Sequence, residues 1–157
     1  MFSMCSCITE GQIMSKKYAI TLSTLLSHSV NEISVRDFAR LQDDFVVLDA
    51  REKNEFEVSK ILGARYVGYH EFEIENVKDL SKQSKILVYC SVGYRSEKIA
   101  ERLVGAGYTD VYNLYGGIFE WKNQSYQVVD SNNEPTERVH AFNKIWGIWL
   151  NKGEKVY

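Results

Sequence analysis

Hydrophobic residues along this chain fall into short unbroken runs and longer spaced ones, and the two patterns predict different elements. Residues 45–48 (FVVL) and 86–89 (ILVY) are apolar throughout, too short for a core helix and rich in strand formers, which predicts strands buried on both faces. The first ends at Asp49. A third short strand is expected at 110–114 (DVYNL), stopped by Gly116 and Gly117. Elsewhere the period is helical. Ile99, Ala100, Leu103 and Val104 share one face of a helix starting at Glu97, with Gly105 and Gly107 available to end it. Ser34 can cap a short helix running to Gln42, with Asp37 near its third position and Ile33 and Phe38 spaced as a hydrophobic staple. Ile118, Phe119 and Trp121 open another helix, and 71–84 is a polar helix or turn that covers the sheet through Phe72, Ile74, Val77 and Leu80.

The two ends are patterned as well. Residues 1–15 have no period and are expected to form a loose arm, followed by an amphipathic helix over 16–32 carrying Tyr18, Leu22, Leu25 and Leu26. After a Ser-, Asn- and Glu-rich linker from Asp130 to Pro135, Val139, Phe142, Ile145, Trp146, Trp149 and Leu150 recur at three-and-four spacing. That predicts a C-terminal amphipathic helix of about four turns ending near Gly153, packed on its own domain to bury two tryptophans.

Composition narrows the class. A chain of 157 residues with 45% hydrophobic and 25% charged content suits one globular domain, and its net charge of −2 offers no general attraction to nucleic acid or an anionic membrane. Small molecules or proteins are the expected partners. No apolar run approaches the roughly 18 residues of a membrane span. Cys5, Cys7 and Cys90 are too few for a disulfide framework, so a reducing cytoplasm is the expected compartment. The alternative is periplasmic, because Lys16, Lys17, the apolar stretch after them and the small residues Ser27 and Ser29 also fit a short signal peptide over 14–29. Cys5 and Cys7 form a C-x-C pair able to ligate metal or resolve an oxidised Cys90, but no further Cys or His lies close enough to complete a familiar metal set.

The candidate chemistry sits between the strand at 86–89 and the helix after it. Cys90, Ser91, Val92, Gly93, Tyr94 and Arg95 form a tight strand-to-helix turn, where the helix's first amides lack partners and the positive end of its dipole favours an anion. Gly93 lets successive N–H groups point inward as an anion-binding nest. A cysteine at the mouth of such a turn, with Arg95 returning to the same cavity, is expected to react as a nucleophilic thiolate.

CSVGYRS at 90–96, the helix that follows it, the Asp49-Ala50-Arg51 element and the later LYGGIFEW at 114–121 resemble a single-domain rhodanese, over about 33–129. The resemblance implies an α/β fold: a parallel-sheet rhodanese-like domain with helices on both faces, here with extra N- and C-terminal helices. It implies that Cys90 carries a sulfane sulfur as a persulfide, ringed by the amides of Ser91 to Arg95 with Ser96 beside them. Related phosphatases and arsenate reductases place five residues between Cys and Arg to wrap a tetrahedral anion; this chain has four, and Tyr89 stands where many such phosphatases carry histidine.

The reaction implied is attack of Cys90 on the outer sulfur of a donor such as thiosulfate, then transfer to a thiol, cyanide or a protein acceptor. It calls for no metal and no organic cofactor. The alternative is a non-turnover sulfur carrier or a persulfide-dependent interaction module. Arg95 either binds the incoming anion or holds the loop closed. Asp49 and Arg51 are candidates for support behind the site: Asp49 by bonding the active loop, Arg51 by pairing with Glu55 or adding positive potential, with a buried ion pair that merely fixes the turn as the competing reading. Ser59-Lys60 replaces the Gly-His that family members often carry before the Ile-x-Gly-Ala step, putting a local hydrogen bond in doubt. His70 is assigned no catalytic role. Gly116 and Gly117 are expected to allow close backbone packing beside the loop, with Tyr115 and Trp121 either walling the pocket or serving the core.

Overall fold

The computed structural model describes residues 13–157. Cys5, Cys7 and most of the expected arm at 1–15 lie outside the described residues. Five strands, β1 (Asn31–Ile33), β2 (Val46–Asp49), β3 (Arg65–Tyr66), β4 (Lys85–Tyr89) and β5 (Asp110–Leu114), form a parallel sheet in the order β1-β5-β4-β2-β3. β4 is central, paired with β2 on one side and β5 on the other. Its side chains alternate between two cores: Leu87 and Tyr89 join Val47, Phe38, Leu114 and Phe119 on one face, while Ile86 and Val88 join Leu48, Ile99, Leu103 and Val111 on the other. Burial on both faces is why β4 reads as an unbroken apolar run.

The helices are α1 (Lys16–Leu25), α2 (Val35–Leu41), α3 (Lys53–Val58), α4 (Tyr94–Gly105) and α5 (Gly117–Asn123). Ser34 caps α2 by accepting the Asp37 N–H, as its sequence predicts. Among the described residues no helix is long and apolar enough to cross a membrane.

Three expectations at the edges are corrected. Residues 13–15 are not loose: Ile13 is buried, the Met14 N–H donates to the Glu120 carboxylate at 2.9 Å, and Ser15 caps α1. The N-terminal helix stops at Leu25 and does not extend towards residue 32, because the Ser27 and His28 N–H groups turn to the buried Glu97 carboxylate, at 2.9 and 2.8 Å. The C-terminal helix does not form. In its place β8 (Arg138–His140) pairs in parallel with β9 (Glu154–Val156), with a 3-10 turn at Trp146–Trp149 between them; β6 (Val128–Val129) and β7 (Pro135–Thr136) make a ribbon before it.

The physical reason is a set of long-range bonds that override local spacing. Asn123, at the end of α5, donates to the Trp149 carbonyl and accepts from the Asn151 and Lys152 N–H groups, while Phe142 adopts a φ of 63° that no α-helix allows. The segment does pack on its own chain. Val139, Ala141 and Leu150 are buried in the main core, and the Trp149 ring stacks on Tyr18 of α1 at 5.3 Å.

Candidate active site

β4 delivers Cys90 to the carboxyl edge of the sheet, and Gly93 turns the chain into α4 with a φ of 119°. That cap starts the helix at Tyr94, three residues before Glu97, where the apolar period begins, so Arg95 and Ser96 belong to the first helical turn. The Gly93 N–H donates to Cys90 Sγ at 3.1 Å and the Ser96 hydroxyl lies 3.4 Å from it. Asn113 braces both donors: its Nδ2 donates to the Gly93 carbonyl at 2.9 Å and its Oδ1 accepts from Ser96 at 2.7 Å. The Ser96 hydroxyl has one hydrogen for two acceptors, and its contact with Asn113 is the shorter of the two.

The opposite side of the loop is held by α5. The Ile118 N–H donates to the Cys90 carbonyl at 2.9 Å and the Phe119 N–H to that of Ser91 at 3.1 Å. Those bonds hold the loop's carbonyls towards α5. Gly117 makes the approach possible, since a Cβ there would stand 2.5 Å from the Cys90 carbonyl oxygen.

Arg95 turns inward to a partner that sequence spacing assigns elsewhere. Its Nη1 and Nη2 donate to the two Glu55 carboxylate oxygens at 2.6 and 2.8 Å, and Nη2 also reaches Ser91 Oγ at 2.9 Å. Ser91 donates to Glu55 in turn, at 3.1 Å. Burial pushes the Glu55 carboxyl up, but the bonds and charge of Arg95, with Arg51 behind, outweigh it and hold Glu55 below its usual range. Glu55 is placed by a capping box with Glu52 at the start of α3. The carboxylate nearest the loop is therefore Glu55.

Asp49 does not bond the active loop and Arg51 does not bond Glu55, which corrects both contacts expected for them. Arg51 Nη2 donates to Asp49 at 2.7 Å and to the Ser59 carbonyl at 2.6 Å, and the Tyr89 hydroxyl donates to Asp49 at 2.5 Å. Both side chains of the pair are fully buried. It fixes the turn between β2 and α3, and the Ser59 backbone serves it in the stretch where Gly-His is missing. Trp121 belongs to the core with Phe38 and Tyr126, and neither it nor Tyr115 lines the cavity.

Cys90 stands at the floor of a cavity of about 380 Å³. Ser91, Val92, Tyr94 and Arg95 of the loop line it, but so do residues from outside the central domain: Leu25 of α1, and Phe142 and Trp146 of the C-terminal segment. The Arg95 guanidinium lies over the Phe142 ring, 4.9 Å from its centroid. Glu52, Tyr69 and the exposed His70 complete the lining.

Sequence reasoning missed Glu55, Asn113, Phe142 and Trp146 as parts of this site. Asn113 did leave a signal, as a polar residue between apolar neighbours near the carboxyl end of a strand. Phe142 and Trp146 were visible only as members of an apolar stripe.

The family model for the Rhodanese-like domain matches residues 34–124, more than half of the chain. Two relatives named tRNA uridine(34) hydroxylase share 39% identity over 90 residues (Bacillus cereus strain Q1) and 37% over 84 residues (Cytophaga hutchinsonii). The matches cover 53% and 51% of this chain but only 28% and 27% of the relatives, so the chain spans little more than a quarter of their length. A rhodanese-related protein from Thermoplasma volcanium superposes with a TM-score of 0.55 at 27% identity, over 64% of this chain and 98% of that one. With the cysteine turn at the carboxyl edge of a five-stranded parallel sheet and the family model spanning both, the chain belongs to the rhodanese-like domain family.

Proposed function

We propose that the protein is a sulfurtransferase that takes a sulfane sulfur from a donor such as thiosulfate onto Cys90 and passes it to a thiophilic acceptor. The Cys90 thiolate attacks the outer sulfur of the donor, the donor's S–S bond breaks, and sulfite leaves with the electron pair. The product is a Cys90 persulfide. An acceptor nucleophile then attacks the terminal sulfur and returns the Cys90 thiolate.

One observation carries this reading: the sulfur of Cys90 receives the Gly93 N–H and neighbours the Ser96 hydroxyl at the amino end of a 12-residue helix, on the floor of a cavity. Donors aimed where negative charge must reside favour thiolate and persulfide anions alike. Arg95, held by Glu55 and Ser91, acts in this account as the clasp of the loop. Val92 and Tyr94 face the cavity and shape the approach to the sulfur.

Hydroxylation of tRNA is the activity named for relatives of which this chain matches little more than a quarter. A net charge of −2 gives no general field for a polyphosphate partner. The site favours sulfur transfer.

The test is turnover of thiosulfate and cyanide to thiocyanate and sulfite. Wild type is expected to turn over and Cys90→Ser to be inactive. Equal activity in the two proteins would overturn the assignment of Cys90.

A further inference from the structure

The cavity is larger than a persulfide requires, and most of its wall is apolar surface that a donor as small as thiosulfate leaves uncovered. At about 380 Å³ it lies in the range of pockets that enclose a small organic molecule. Leu25, Val92, Tyr69, Tyr94, Phe142 and Trp146 supply apolar surface around Cys90. Among the described lining residues Arg95 is the permanent cation, and its charge is already matched by the bidentate bond to Glu55. Glu52 adds a carboxylate to the same lining. A doubly charged donor meets little net positive charge beyond the loop amides, whereas an apolar group attached to the reacting sulfur has surface to cover.

Much of that wall comes from outside the stretch matched to the family. Leu25 precedes residues 34–124, and Phe142 and Trp146 follow them. The backbone at Phe142 is held in a conformation that disfavours a bulky side chain, with φ at 63°. Three contacts keep it there: the Asn143 N–H donates across it to the Ala141 carbonyl at 2.8 Å, the Phe142 N–H donates to His140 Nδ1 at 3.1 Å, and the ring lies under Arg95. Trp146 is set by a separate device, since its N–H donates to Asn143 Oδ1 at 2.9 Å at the start of the 3-10 turn. A backbone outlier that places an aromatic ring under Arg95, in the lining of the cavity that holds the reacting cysteine, points to a role in the site.

We infer that the cavity selects sulfur donors carrying an apolar, preferentially aromatic, group next to the reacting sulfur, and that Phe142 and Trp146 are the residues that set this preference. The inference rests on the sulfur-transfer reading of Cys90. A suitable pair of probes is benzenethiosulfonate and methanethiosulfonate, monoanions with the same reacting group. In either case the Cys90 thiolate bonds to the terminal sulfur, the S–S bond to the sulfonyl sulfur breaks, and the sulfinate departs with the electron pair. Cys90 becomes a persulfide, and neither an external oxidant nor a proton is required.

Two readouts separate the parts of the claim. In calorimetry on the Cys90→Ser protein, which cannot transfer sulfur, benzenethiosulfonate is expected to bind about tenfold more tightly than methanethiosulfonate, as partial burial of one ring would give. Adding Trp146→Ala is expected to remove that preference and Trp146→Phe to retain most of it. In the protein with Cys90 intact, the ratio of persulfide-loading rates, benzene over methane, is expected to fall about tenfold on Trp146→Ala, the same loss read in kinetics. Loading with no benzene preference, or a ratio indifferent to Trp146→Ala, overturns the inference while leaving sulfur transfer in place. A binding preference without loading of either probe contradicts the sulfur-transfer reading, and with it the assignment of these residues to donor selection.

Discussion

Residues 85–105 and residues 138–156 meet at one cavity, yet they hold their shapes by different means. The first is a strand, a turn and a helix, held by ladders with β2 and β5 and by bonds inside α4. Its period is therefore written locally. The second has a 3-10 turn and two short strands, and much of its fixation is remote: Asn123 grips residues 149, 151 and 152, while β9 returns to pair with β8. Apolar spacing there says which residues seek burial but leaves the backbone path open. Regular structure places the reacting loop, whereas side-chain bonds to a neighbouring helix place much of the wall around it.

The largest expected effect comes from removing the clasp in the first region. Glu55→Gln leaves the Arg95 guanidinium partly buried without its counter-charge, which is expected to cost about 3–5 kcal/mol in urea unfolding and to slow sulfur loading. A loss below about 1 kcal/mol, the worth of an exposed pair, would show that the ion pair does not order the loop.

Asn123→Ala addresses the second region. It removes one donor bond and two acceptor bonds to the C-terminal segment, with an expected loss of about 1–3 kcal/mol. Amide exchange should quicken across residues 138–156 and stay slow in β4 and α4. Equal loosening of both regions would mean that they do not differ as described.

The smallest effect is in pH. Burial pushes the His140 imidazole below its ordinary value of 6.5, and its Nδ1 accepts the Phe142 N–H, a bond the protonated ring cannot accept. Glu55 raises that value, and Arg51 and Arg95 lower it further. Above 6.5 the contribution to stability is fully present; as pH falls through 6.5 towards the folded-state value the unfolded chain binds the proton more readily and stability declines. His140→Asn should flatten that part of the stability profile. An unchanged slope would remove His140 as its source.

The same contrast explains what could be read in advance. Buried strands at residues 46–49 and 85–89 were legible because parallel strands covered on both faces show continuous apolar runs, and α2 because Ser34 and Asp37 announce its cap. The loop was legible because Cys90, Gly93 and Arg95 lie within one turn of each other in sequence. Glu55 was not, since choosing between Arg51 and Arg95 as its partner requires knowing that Asp49 already holds Arg51. Nor was the path of residues 138–156, which depends on an asparagine in α5 and on a φ at Phe142 that its neighbours impose.

The most direct test of the central claim is the mass of the tryptic peptide spanning residues 86–95 after the reduced protein meets a sulfane-sulfur donor and the remaining thiols are alkylated under non-reducing conditions. The expected product is a peptide heavier by one sulfur atom than the alkylated peptide of untreated protein, with the added mass on Cys90 and lost when cyanide is added before alkylation. An unmodified peptide from protein that has demonstrably consumed donor would contradict it, because the sulfur would then travel by a route that does not pass through Cys90.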